Sequence, residues 1–160
     1  MKVIKLCSGP GNGVDTACLM TASNMLIGKG YMGDEATCQC SLIRKIIIHA
    51  NDSMLQTQRN ELLGPLVFEI LGTKNSAALQ RRARFCLQWM EANGLETKKA
   101  QYAFDNHYYE EVASLLGVQL RFDLQIKVPK LILDLAAIGD KRPVEPKITE
   151  EQLCKTLSKC

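Results

Sequence analysis

A mainly α-helical fold is what this sequence predicts, and three observations predict it. Apolar residues recur three and four positions apart over several separate stretches, which is the spacing of one helix face. Glycines close those stretches at Gly28, Gly72, Gly94 and Gly117, where a helix commonly ends in a left-handed residue. The composition, 46% hydrophobic and 23% charged, is that of a globular chain able to bury a core. The expected architecture is an orthogonal helical bundle of about six helices, with at most a small two-stranded β pairing of residues 2–7 with 118–128.

Residues 2–7 alternate weakly and read as a short strand. Gly9-Pro10-Gly11-Asn12-Gly13 is a turn by composition. Asp15 or Thr16 can cap a first helix that runs to about Ile27. Residues 31–40 read as a loop. Ser41 then caps a helix over 42–50 in which Leu42, Ile43, Ile46, Ile47 and Ala50 share a face and Ile48 lies opposite, so this helix should be central. Asn51-Asp52-Ser53 break the chain.

Leu62, Leu63, Leu66, Val67, Ile70 and Leu71 mark the next amphipathic helix. Gly64-Pro65 inside it should kink or break it, because proline removes a backbone donor. A further helix is capped by Asn75 or Ser76, carries Leu79, Ala83, Cys86 and Met90 as its stripe, and stops near Asn93. Phe104, Tyr108, Val112, Leu115 and Leu116 mark another. From Val118 to Val128 apolar and polar residues alternate strictly, which predicts a strand with one apolar face. Pro129 can open a helix through Ile138. At the end, Thr149 and Gln152 fit a capping box, with Ile148 stapling onto Leu153.

The 160 residues fit one domain. Residues 1–140 read as a single helical domain, and 141–160 as a linker with a short C-terminal helix. The net charge of +3 is too small for a strongly basic nucleic-acid binder. No apolar run reaches about 18 residues, so no membrane span or membrane partner is expected. The start is too short and too charged for a signal peptide, and the expected location is the cytoplasm. Seven cysteines, an odd number, then read as free thiols rather than a disulfide framework.

The glycine turn lies where a phosphate loop would sit, but it lacks the Gly-Lys-Ser/Thr ending, and Pro10 removes an amide. Cys38, Cys40 and His49 are weak candidates for a metal. Structural zinc wants two properly spaced pairs, so no metal and no cofactor is expected. A cysteine nucleophile would need a histidine base, and only His49 and His107 exist. Arg81 and Arg84 fall on a polar helix face, and with Arg44 and Lys45 they are the candidates for nucleic-acid contact, expected to be weak and salt-sensitive. Arg59 and Arg82 fall inside apolar arcs. A buried charge needs partners. Asp34 and Asp52 are the nearest acids, either as structural ion pairs or as parts of an anion-binding pocket.

Gly33-Asp34, Cys38-Gln39-Cys40-Ser41-Leu42-Ile43, Asn51-Asp52, Arg59, Leu62 to Pro65, Leu71-Gly72-Thr73, Arg81-Arg82 and Trp89 carry a resemblance. The stretch from Ala17 to Leu95 resembles a family of uncharacterised small helical proteins encoded by bacteria and some phages. The resemblance implies helical packing and carries no activity. Taken together, the residues suggest a non-enzymatic accessory domain, in this setting a phage-encoded one, with another protein as its partner; a homo-oligomer is compatible with that. The rivals are a small anionic-ligand binder or enzyme using Arg59 and Arg82 with Asp34 and Asp52, and a weak nucleic-acid binder.

Overall fold

The computed structural model describes residues 4–9, 11–12, 16–29 and 38–157. The chain is mainly helical. Helix α1 spans Leu19–Leu26, α2 Ser41–Ser53 and α3 Gln56–Gln58, which runs into a π-helical turn over Arg59–Leu63. Next come α4 (Leu66–Glu69), a 3₁₀ turn (Ser76–Ala78), α5 (Leu79–Ala92), α6 (Lys98–Asp105) and α7 (Tyr109–Gly117). The last are α8 (Phe122–Gln125), α9 (Val128–Ala137) and α10 (Glu150–Thr156).

Helix α2 is the central element. It packs chiefly on α7 and also on α1, α5 and α9, and it buries Leu42, Ile43, Ile46, Ile47 and Ala50. Its approach to α7 is close. A Cβ on Gly117 would lie 2.6 Å from the His49 ring, so glycine there lets the two backbones meet. The expected break at residues 51–53 falls later, since α2 continues to Ser53. The first helix is shorter than expected: Cys18 caps α1, its thiol accepting from the Thr21 amide. Asp15 lies outside the described residues.

Three sequence expectations hold in detail. Gly64-Pro65 separates the π-helical turn from α4. Asn75 caps the 3₁₀ turn through the Ala77 amide. Thr149 and Gln152 form the reciprocal capping box, and Leu153 is buried. One expected helix is instead two: α6 and α7 are separated at His107, whose φ of 63° turns the chain in the left-handed region.

The expected strand over 118–128 is not formed. Leu120, Leu124 and Val128 are buried, while Val118, Phe122 and Ile126 are exposed. Alternate positions therefore do not share a face. Every second apolar residue points inward, which is a four-residue repeat, and it continues through Leu131, Ile132 and Leu135 of α9 in the manner of a helix. Residues 2–3 of the expected partner strand lie outside the described residues. Residues 4–7 are not a strand, although Ile4 and Leu6 are buried. Their backbone is satisfied chiefly by side chains, apart from the Cys7 amide, which donates to the Ala17 carbonyl at 2.9 Å. The Leu6 amide donates to Asn60 Oδ1 at 2.7 Å, and Gln56 Nε2 donates to the Leu6 carbonyl. Asn51 Nδ2 donates to the Cys7 carbonyl at 3.0 Å. With its polar groups met in this way the segment needs no sheet.

Candidate functional site

Both arginines singled out by the sequence are buried, and neither meets Asp52, the one expected aspartate among the described residues. Arg82 donates from Nε to the Leu135 carbonyl at 2.9 Å, from Nη1 to the Thr73 carbonyl at 2.7 Å and from Nη2 to the Ile138 carbonyl at 2.7 Å. Two of those oxygens belong to the C-terminal end of α9, which carries unsatisfied carbonyls and the negative end of the helix dipole. Arg59 does the same for α2. Its Nε donates to the Asn51 carbonyl at 2.8 Å and its Nη2 to the Met54 carbonyl at 2.7 Å, while Nη1 donates to Gln56 Oε1 at 2.9 Å. Helix ends thus compensate the two charges. Each guanidinium commits three of its five N–H donors to the fold.

Asp52 lies elsewhere. Its Oδ1 accepts from the Gly9 amide at 3.1 Å and from Asn51 Nδ2 at 3.2 Å. The amide of the glycine turn that could face a phosphate is therefore spent on a carboxylate. Gly9 and Gly11 both have positive φ, as a turn requires. Asp34 lies outside the described residues.

Cys38, Cys40 and His49 are not gathered. Cys40 is the N-cap of α2, and His49 lies roughly 13 Å further along that helix at 1.5 Å per residue, against Gly117. Among the described residues no three metal-ligating side chains cluster. Cys86 is fully buried, and its thiol is pushed far above its ordinary range, first by burial and then by Cys40. It stays protonated at neutral pH and is a poor nucleophile. We expect Cys86 to resist alkylation in the folded protein and to react only after denaturation, as mass mapping of the labelled cysteines would show. Modification of Cys86 at the rate of half-exposed Cys38 would contradict this.

The four surface cations fall into two places. Arg81 and Arg84 are exposed on α5, and Arg84 stands 5.0 Å over the Phe104 ring. Arg44 and Lys45 are half-buried on α2, and Arg44 lines a cavity with Lys74 and Arg142. That cavity joins three separate stretches of chain, so no local motif announces it.

The sequence also hid an apolar surface inside the supposed strand. Phe122 and Ile126, one turn apart, are 75% and 72% exposed. Val118 at the end of α7 and Leu133 on α9 are exposed as well. The signal was the alternation itself: its second set of apolar residues had no core to enter once the first set took the helical face. No family model, no curated protein and no solved structure matches this chain. Among the described residues no helix is long and apolar enough to cross a membrane.

Proposed function

We propose that this chain is a non-enzymatic accessory domain whose work is to bind another protein. The observation that carries the reading is the outward apolar face of α8 and the start of α9, with Phe122 and Ile126 at its centre. Residues four apart on a helix stand side by side. Two large apolar side chains left in water on one face are costly unless a partner covers them. We take α1, α2, α5, α6, α7 and α9, which among the described residues are the helices of eight residues or more, as an orthogonal bundle, with α8–α9 on its outer wall. We take the cytoplasm as its location, in keeping with the resemblance to bacterial and phage proteins.

The test is site-specific photo-crosslinking in the cells that make the protein. A photoreactive residue at Phe122 should give one discrete protein adduct. The same residue at Gln88, exposed on α5, should give none. Ile126→Asp should remove the adduct while changing stability by no more than about 0.5 kcal/mol. An adduct of twice the chain's own mass would make the partner a second copy. Equal, diffuse labelling at both positions would overturn the reading.

A further inference from the structure

We propose that the cavity at the N-terminus of α2 is a binding site for a phosphate group, carried free or as a small phosphomonoester. The cavity has a volume of about 260 Å³. Its walls include three cationic side chains, Arg44, Lys74 and Arg142, and no aspartate or glutamate among the described residues. Three like charges around one concave space repel one another unless an anion sits between them. Ser41 and Ser76 add hydroxyls.

The backbone adds a positive end. α2 is 13 residues long, its N-cap Cys40 makes no side-chain capping bond, and its first turn holds no acidic residue. The first helical bond runs from the Arg44 amide to the Cys40 carbonyl. The amides of Ser41, Leu42 and Ile43 precede it and have no partner within the helix. Such an uncapped terminus offers donors and the positive dipole end together, which is how helices hold phosphate.

Gln39 is the independent sign of a ligand. It lines the cavity and is only 3% exposed, yet neither its Nε2 nor its Oε1 has a hydrogen-bond partner. Among the described residues it is the one buried side chain with both ends of its amide unpartnered. A buried amide left unmet is costly. Inorganic phosphate answers both ends: an oxygen accepts from Nε2, and the proton that it keeps near neutral pH can be donated to Oε1, whereas a monoester, mostly a dianion at that pH, meets Oε1 only with a hydroxyl of its own carbon skeleton. Sulfate has no such proton and leaves Oε1 unmet. The site should therefore prefer phosphate to sulfate.

The fold holds these groups in place. The Cys40 amide donates to Thr73 Oγ1 at 3.0 Å, and the Lys74 amide donates to the Cys38 carbonyl at 3.1 Å, so the 73–74 turn is tied to the start of α2. Arg142 is carried in by its amide, which donates to the Gly72 carbonyl at 2.9 Å. Only glycine fits there: φ is +73°, and a Cβ would stand 2.1 Å from the Arg142 carbonyl oxygen. Arg82 grips the Thr73 carbonyl from below and acts as a positioning residue.

Calorimetric titration of the full chain with inorganic phosphate, glycerol 2-phosphate and sulfate tests the proposal. Saturable binding of phosphate or of the ester, at least tenfold tighter than sulfate, is expected; the tighter of the two names the natural form. Lys74→Ala and Arg142→Ala, both at exposed positions, should each weaken binding about tenfold, while Arg84→Ala should not. Gln39→Leu keeps the test open against misfolding. It should raise the melting temperature of the ligand-free protein, because an unmet amide is gone, and should lose the rise that phosphate gives the native chain. No saturable binding at millimolar phosphate, equal affinity for sulfate, or a Gln39→Leu variant that melts lower would each overturn the proposal. So would a short single-stranded oligonucleotide that binds more tightly than either phosphate ligand, since the surface would then be one for nucleic acid.

Discussion

Replacing Arg82 by alanine is expected to cost about 3–5 kcal/mol of stability, from buried carbonyls that each lose a charge-assisted donor at about 1–3 kcal/mol. The substitution removes the donor from the buried carbonyls of Thr73 and Ile138 and leaves that of Leu135 only the Ile138 amide, at 3.2 Å, in a place where Arg82 itself is fully buried. Arg82→Lys should recover only part of the loss, because an ammonium is a single point and cannot reach three carbonyls as a planar fork does. Arg84→Ala should cost about 0.5–1 kcal/mol through its contact with Phe104. Arg81→Ala should stay within about 0.5 kcal/mol. Urea midpoints for the four variants give the ranking. Equal midpoints for Arg82→Ala and Arg81→Ala would show that the carbonyl cage does not stabilise the fold.

That arginine shows how far the sequence could be read. Its burial was legible, since position 82 lies within the apolar arc of its helix, between Cys86 and Trp89. Its partners were not. Two of them lie 53 and 56 residues away and are backbone oxygens, which carry no residue-type signal. The search for a partner went to aspartates because only charged side chains are visible in a sequence. Local chemistry was legible in full at Thr149, where the cap and its partner are three residues apart. It misled at 118–128, because a strict two-residue alternation also contains the four-residue repeat of a helix. Length did not separate the two, and the helix α9 that follows decided it. The cavity at α2 was invisible for a third reason. Gln39, Lys74 and Arg142 are brought together only by the turn at Gly72 and the return of the chain after α9.

Arg59→Ala is expected to cost about 2–4 kcal/mol, from two buried carbonyls, those of Asn51 and Met54, left without donors. The loss should be local in a way that the Arg82 loss is not. Arg59 Nη1 holds Gln56 Oε1, and Gln56 in turn donates to the Leu6 carbonyl and, at 3.1 Å, to Asn60 Oδ1. Asn60 Oδ1 is also the acceptor for the Leu6 amide. The guanidinium therefore orients the side chains that stand in for a β partner along the N-terminal segment. Freed from Arg59, Gln56 can turn away, and the Leu6 carbonyl loses its donor. Hydrogen exchange at the Leu6 amide should accelerate in Arg59→Ala under conditions where the protein is still folded, while the Cys7 amide, which donates to the Ala17 carbonyl at 2.9 Å, serves as the internal control. In Arg82→Ala the Leu6 amide should exchange only as fast as the global loss of stability demands. Gln56→Ala should reproduce the faster exchange with a smaller loss of stability, because it leaves Arg59 on its two helix carbonyls. If Arg59→Ala and Arg82→Ala shift the Leu6 amide equally for equal destabilisation, the arginine does not act through Gln56, and the N-terminal segment is held by its buried Ile4 and Leu6 and by the bonds of Cys7 to Ala17 and Asn51.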